Sequence, residues 1–335
     1  MPSLPPVIAE VRLAVRAALA RLADGATVLV ALSGGADSLA LAAATAFEAR
    51  SRAMRVVSAT IDHGLQDGSA DVAAAASAKA ERLGIRALVE RVQLGGPSAG
   101  FGAGGPEAAA RDARFAALRK IALTERVDAV LLGHTLDDQA ETVLLGLARG
   151  SGAASLQGMA PARRDDDETL WLRPLLGVRR QTTRAFCAAS ELTPWDDPHN
   201  FELRFARVRV RERVLPVLEE ELGPGIAEAL ARTAEQLRED AEAFDEMILE
   251  TIEDIVEHAE AGISVSVAAL AANPAALRNR IIRLVTHSEF GASLTRTQTL
   301  EVARLVTDWS GQGPIDLPSC TAARRDGQIH FAARH

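Results

Sequence analysis

Six consecutive residues, Ser33-Gly34-Gly35-Ala36-Asp37-Ser38, combine the side chains and the backbone freedom needed to hold a phosphate. The two glycines let the chain turn sharply and approach a ligand closely. Successive backbone N–H groups, followed by a helix N-terminus, favour an anion, and Ser33 and Ser38 add hydroxyl donors. The stretch has no lysine, so it is not a GxxxxGK[ST] loop, and it lacks the GxGxxG spacing of a dinucleotide fingerprint. Asp37 puts a carboxylate beside this cradle. A carboxylate there calls for an intervening cation, either Mg²⁺ or a substrate ammonium. The plainer reading is an acid favoured by the helix dipole.

A second group is Gly133-His134-Thr135-Leu136-Asp137-Asp138-Gln139-Ala140-Glu141-Thr142. On a helix, Leu136, Ala140, Val143, Leu144 and Leu147 share an apolar face, and Asp138, Glu141 and Thr142 lie on the other side within one turn. Two carboxylates at i and i+3 near a helix start make either a cation site or ordinary first-turn acids. Arg111 and Arg114 are also i and i+3. Arginines so placed suit a phosphate or a developing negative charge; the alternative is a solvated basic face. Asp62-His63 is a further polar pair, although a lone histidine is more often a turn or core residue.

The elements that position these residues follow from apolar periodicity. Residues 5–23 read as an amphipathic helix with Pro5 and Pro6 at its start. Strands are expected at 26–32, 55–61, 85–94 and 128–132, alternating with helices at 37–50, 69–83, 106–124 and 136–148. A glycine-rich loop spans 95–105. This alternation specifies an α/β fold, a doubly wound and mostly parallel sheet covered on both faces. In such folds ligands bind at the carboxyl ends of the strands. Ser33–Gly35, Asp62-His63 and Gly133-His134 each follow a strand and therefore converge on one crevice. From about Glu219 the chain becomes a long helical stretch, 224–260, dense in Glu, Asp and Ala. A hairpin with Asp326-Gly327 at its turn is expected between 320–325 and 328–332. The reading is thus a catalytic domain at 1–219 and a smaller helical/α+β domain at 220–335.

Composition narrows the function classes. The 335 residues carry a net charge of −8, which excludes a uniformly basic coat for nucleic acid but not a local basic patch. The two cysteines, Cys187 and Cys320, are too few and too far apart for a disulfide framework or a CxxC metal or redox pair. No apolar run is long enough to span a bilayer, and Glu10, Arg12, Arg16 and Arg21 interrupt the N-terminal apolar residues at helix-like intervals, unlike a signal peptide. A cytoplasmic protein is expected.

The loop at 33–38 resembles the SGGxDS loop of the PP-loop ATP pyrophosphatases. Residues 133–142 resemble the GHxxDDQxET motif of the tRNA(Ile)-lysidine synthetases, and their continuation through Arg149-Gly150-Ser151-Gly152 and Leu156-Gln157-Gly158-Met159 is similar as well. Glu107–Phe115 resembles that family's EAxARxxRY helix with Phe115 for Tyr, and Asp62-His63-Gly64-Leu65 its (D/N)HGLR segment with Gln66 for Arg. Arg173-Pro174-Leu175-Leu176 resembles RPLL, and 197–216 resembles DxSN…FxRNxIRxxxLP, with His199 for Ser and Val208 for Asn. Residues 309–318 resemble the family's first C-terminal domain; longer members carry one more, without which this chain is expected to end.

The resemblance implies ATP and Mg²⁺, free lysine, and the isoleucine tRNA with a CAU anticodon. The product is lysidine at the wobble cytidine, formed with release of pyrophosphate and AMP. It implies that Ser33, Gly34, Gly35, Ala36, Asp37, Ser38, Asp62, His63, Arg111, Gly133 and His134 bind ATP, and that Arg114 stabilises the α-phosphate. Asp37, Asp138 and Glu141 are expected to bind lysine and act in catalysis, with Asp37 and Asp138 as Mg²⁺ ligands. Arg173, Arg204, Arg207 and Arg211 are expected at the tRNA; the last three fall on one helical face, whereas Arg209 and Arg213 face away. Family precedent favours a homodimer. The nearest rival is a PP-loop tRNA thiolase, which would want catalytic or cluster-binding cysteines inside the motifs. A sensor without chemistry would need no acids crowded at a phosphate crevice.

Overall fold

The computed structural model describes residues 4–62, 64, 68–92, 105–150, 152–165, 167–197, 202–259 and 262–334. It divides into two compact units, Met1–Arg238 and Glu239–His335. The division falls inside a long helix, whereas the sequence reading placed a boundary at the end of residue 219.

The first unit opens with α1 (Pro6–Leu19), β1 (Thr27–Ala31), α2 (Ala36–Ala49), β2 (Arg55–Asp62), α3 (Ser69–Arg82) and β3 (Arg86–Arg91). It continues through α4 (Gly105–Glu125), β4 (Ala129–Leu131), α5 (Leu136–Ala148), the short α6 (Ala153–Leu156), β5 (Ala162–Arg164), β6 (Leu170–Leu172) and α7 (Arg180–Ala189). The strand order is β3-β2-β1-β4-β6-β5. All neighbours pair in parallel except the edge strand β5, which runs antiparallel to β6.

The apolar strands explain the layering. In β1, Val28 and Val30 join a core with Val11 and Val15 of α1, Leu39 and Leu41 of α2, and Phe186 and Cys187 of α7. Alternate residues Leu29 and Ala31 face the opposite core, with Leu118, Ile121 and Ala122 of α4 and Trp171 of β6. A strand buried on both faces needs such a continuous apolar run. From β1 the chain steps outward to β2 and β3, then crosses back to place β4 on the other side of β1. The order therefore reverses between β1 and β4, and the crevice beyond their carboxyl ends is where ligands bind in open parallel sheets.

A continuous helical stretch follows: α8 (Ala206–Arg209), a π-helical turn at Val210–Val214, and α9 (Leu215–Leu222). Pro216 has no N–H and its ring presses on the carbonyl four residues back. The wide turn just before it is the accommodation expected of a proline inside a helix.

Helix α10 (Ile226–Ile255) leads into the second unit. There β7 (Val256–Ala259), β8 (Gly262–Ser266), α11 (Val267–Ala272), α12 (Ala275–Phe290), α13 (Arg296–Thr307), β9 (Ile315–Leu317), β10 (Cys320–Arg325) and β11 (Gln328–Ala333) form an antiparallel sheet with helices. The expected hairpin is present, and Asp326 and Gly327 both have positive φ, 48° and 77°, as a two-residue hairpin turn requires. The helix expected to run to 260 ends at Ile255. Residues 256–259 instead pair with β8, because strand pairing there outweighs local helix propensity.

Candidate active site

The phosphate loop is built as its residue types demand. Gly34 has φ +85°, and its carbonyl accepts from the Trp195 backbone N–H at 2.9 Å. A Cβ on Gly133, just beyond β4, would lie 3.2 Å from backbone atoms of Asp37 and Ser38, so glycine lets the segment after β4 pack against the first turn of α2. Within the loop, Ser38 Oγ accepts from the Ser33 N–H at 3.2 Å and lies 3.1 Å from Ser33 Oγ. The Cys187 thiol donates to the Ala36 carbonyl at 3.4 Å, bracing the loop from α7.

The loop opens on a crevice of about 1380 Å³ lined by residues from every expected segment, including Ser33, Asp37, Asp62, Arg111, Arg114, His134 and Asp138. His63 lies outside the described residues, as do Gln66, the loop at 95–104 and Pro198-His199-Asn200. Asp62 is buried; its carboxylate accepts from the Gly64 N–H at 2.9 Å and lies 3.8 Å from Arg91. It therefore shapes its own turn at the crevice rim.

Asp37 and Asp138 line one wall with Glu141 buried behind it, and α7 supplies a cation that reaches all three. Arg180 Nε lies 3.6 Å from Asp37, Nη2 2.9 Å from Asp138 and Nη1 3.1 Å from Glu141. Arg207 and Arg211 each put Nε 2.7 Å from a Glu141 oxygen. Glu141 is fully buried, 0% exposed, so its charge is carried inside the protein by these arginines. Asp138 has two jobs: Oδ2 accepts from the Thr135 N–H in a capping box at the start of α5, and Oδ1 faces Arg180. This acid therefore caps α5 and at the same time faces the crevice's arginine.

Burial raises the Asp37 carboxyl above the ordinary carboxylate range, although the Thr183 hydroxyl donates to it and Arg180 is near. Burial acts likewise on Asp138, but Arg180 and Arg207 outweigh it and hold that carboxyl low. In Arg180, burial is overcome by Asp138, Glu141, Asp37 and Asp137, which raise its pKa.

The opposite wall is different. Burial lowers the pKa of Arg114, Arg111 lowers it further, and no carboxylate among the described residues pairs with it. His134 is pushed down to about 3, first by burial, with Arg173, Arg114 and Arg207 adding to the effect against the opposing pull of Asp138, and its buried Nδ1 has no hydrogen-bond partner among the described residues. Arg173 is 8% exposed; its Nη1 donates to the Ala160 carbonyl at 2.9 Å. It is an interior residue that holds the segment before β5.

Of the arginines expected at tRNA, Arg204 is exposed, and it precedes α8, so it does not share a helical face with Arg207 and Arg211. Those two share a face, but that face is turned inward onto Glu141. Sequence reasoning missed Arg180 and Thr183. Their signal was an arginine and a threonine one turn apart, directly after the Arg173–Leu176 segment. Gln139 was also unremarked: it grips the Met159 backbone through Nε2 to the carbonyl at 2.9 Å and Oε1 from the N–H at 2.7 Å, fixing a rim segment of the crevice.

Both cysteines are buried. Burial, then Asp37, raises the Cys187 thiol to about 11, which suits a packing residue rather than a nucleophile. No helix among the described residues is long and apolar enough to cross a membrane.

Comparisons with known proteins agree with this architecture. A PP-loop domain matches residues 10–218, and a TilS substrate binding domain matches residues 266–330. The tRNA(Ile)-lysidine synthase of Leifsonia xyli subsp. xyli is 58% identical over 92% of this chain and 91% of its own length. That of Thermobifida fusca is 48% identical over 98% of both. Among solved structures, the U34-tRNA thiolase NcsA of Methanococcus maripaludis superposes with a TM-score of 0.60 at 22% identity, over 70% of this chain and 80% of that one, a likeness of fold. The chain, in both of its domains and over nearly its whole length, belongs to the tRNA(Ile)-lysidine synthase family.

Proposed function

We propose that this protein uses ATP to join free lysine to C2 of the wobble cytidine in the CAU-anticodon isoleucine tRNA. The observation that carries the reading is the convergence, at the switch point of the sheet, of the loop at 33–38, an Arg114 with no carboxylate partner among the described residues, and a cluster of carboxylates. ATP enters along Ser33–Ser38, with its phosphates on the backbone N–H groups of the loop and the start of α2. Arg111, Gly133 and His134 line the same space. His134, neutral at physiological pH, leaves its Nδ1 free for a ligand donor.

In the first step the C2 oxygen of cytidine attacks the α-phosphorus, the bond to the β-phosphate oxygen breaks, and pyrophosphate leaves. Arg114 meets the charge that grows on the α-phosphate. In the second step the side-chain amine of lysine attacks C2, the C2–oxygen bond breaks and AMP leaves. The amine must shed a proton. Asp37, whose carboxyl is raised, is the best matched of the acids to take it, and Asp138, backed by the buried Glu141, holds the ammonium before attack.

The donor set fits Mg²⁺ arriving with ATP. Mg²⁺ is commonly held by one or two carboxylates plus substrate phosphates, and among the described residues no group of three or more His, Cys, Asp or Glu is placed to hold a metal alone. Asp37 and Asp138 are the ligands assigned here; bound, the ion would screen phosphate charge.

Residues 1–219 carry the chemistry in this reading and 220–335 the tRNA recognition, with exposed Arg204 meeting phosphates. The protein acts in the cytoplasm as a homodimer. The test is incorporation of radiolabelled lysine into the CAU-anticodon transcript with ATP and Mg²⁺, beside a transcript whose wobble C is changed to U. Label on the C transcript alone is the expected result. Pyrophosphate release with another acceptor, and no label, would overturn the assignment.

A further inference from the structure

The carboxylate cluster is neutral as it stands. Asp37, Asp138 and Glu141 supply three negative charges, and Arg180, Arg207 and Arg211 supply three positive ones within 4 Å of them. A substrate ammonium entering this cluster meets no uncompensated acid. It must displace a guanidinium or wait for another anion. Arg180 is the cation best placed to be displaced. It alone touches all three acids, whereas Arg207 and Arg211 reach only Asp138 and Glu141.

Its backbone is fixed, because the Arg180 N–H donates to Asp137 at 2.7 Å and the Arg180 carbonyl lies 2.8 Å from the Thr183 hydroxyl. Any movement is therefore in the long side chain. That side chain lines the same crevice as Ser33, Gly35 and Ser38. A guanidinium fork matches phosphate oxygens as well as it matches carboxylates, so a polyphosphate on the loop competes for Arg180 directly.

We propose that Arg180 occupies the position of the substrate ammonium when no substrate is bound, and that ATP draws it onto the phosphates and so opens Asp37 and Asp138, the two acids that line the crevice, to lysine. The inference rests on the functional reading above, and it makes Arg180 a positioning residue that couples the two small substrates. ATP binding then precedes tight lysine binding.

The test is calorimetric titration of lysine into the full-length protein, with and without α,β-methylene-ATP and Mg²⁺, an analogue that cannot be split at the α–β bridge. In the wild type the analogue tightens lysine binding about tenfold or more, within the usual range of coupling between two sites. Arg180→Gln frees the acids of their shared cation. It binds lysine about tenfold more tightly than wild type without the analogue, and the coupling largely vanishes. Arg180→Lys, which keeps the charge, retains coupling.

Equal lysine affinity in the wild type with and without the analogue overturns the proposal. So does weaker lysine binding by a folded Arg180→Gln, since the arginine would then be building the site rather than filling it. If Arg180→Gln does not fold, the wild-type comparison decides alone. Labelled lysine incorporated into tRNA without coupling rejects only the role of Arg180; no incorporation rejects the reaction itself.

Discussion

The two walls of the crevice manage buried charge in opposite ways. On the wall built from α5, α7 and α8 with its π turn, Asp138 and Glu141 have guanidinium groups within 4 Å, and the most buried acid, Glu141, has three. On the wall built from α4, Arg114 is a cation lowered by burial and by Arg111, and it is in no ion pair with a described residue. A protein does not bury uncompensated positive charge to gain stability. On the first wall the charges balance one another; the second carries a cation that a bound anion would balance. Stability and function are thus divided between them, and the division can be broken experimentally.

The largest effect on stability is expected from Glu141→Gln. Removing one partner of a buried ion pair strands the others. Arg180, Arg207 and Arg211 would lose the carboxylate that they share, and unfolding in urea should show a loss of about 3 kcal/mol or more. A loss below about 1 kcal/mol, the worth of an exposed pair, would mean that solvent already screens this cluster.

Arg114→Leu is the matching experiment on the other wall. It should leave stability unchanged or raise it, because a partly buried cation with no partner among the described residues is replaced by an apolar side chain. Turnover should nevertheless fall about a hundredfold or more, the usual cost of losing one contact to transition-state charge. If urea unfolding shows Arg114→Leu to be as destabilised as Glu141→Gln, the contrast between the walls fails.

How much of this was legible beforehand follows the range of each interaction. The turn at 33–38 and the strand–helix alternation are local, so residue types and periodicity revealed them. The capping acid Asp138 was legible for the same reason. The short strands β5 and β6, three residues each, are too brief to leave a pattern. Arg207 and Arg211 were read as sharing a face, which helical spacing decides; that the face turns inward depends on Glu141, 66 and 70 residues away. Arg180 was invisible for the same reason: its acids lie 39 and 42 residues off on α5 and beyond the sheet on α2, and only the order β1-β4-β6 brings them together.

The smallest effect expected belongs to His134, which stands between the walls. Its pKa is about 3 in the folded protein and near 6.5 when unfolded, because burial opposes the charged ring and Arg173, Arg114 and Arg207 repel it. Below 6.5 the unfolded chain binds a proton that the folded chain refuses, so this residue lowers stability as pH falls from 6.5 towards 3 and costs nothing above that window. Between pH 7 and pH 5 the loss amounts to about 2 kcal/mol. His134→Asn keeps a polar side chain of similar reach and removes the titration. Urea midpoints at the two pH values should therefore differ less in His134→Asn than in the wild type, by about that amount. Equal shifts in the two proteins would mean that the ring is protonated in the empty site, its charge accepted by Asp138. ATP would sharpen the same measurement. Phosphates placed against Arg114 remove part of the repulsion on the ring, so saturating α,β-methylene-ATP should shrink the wild-type shift and leave that of His134→Asn unchanged.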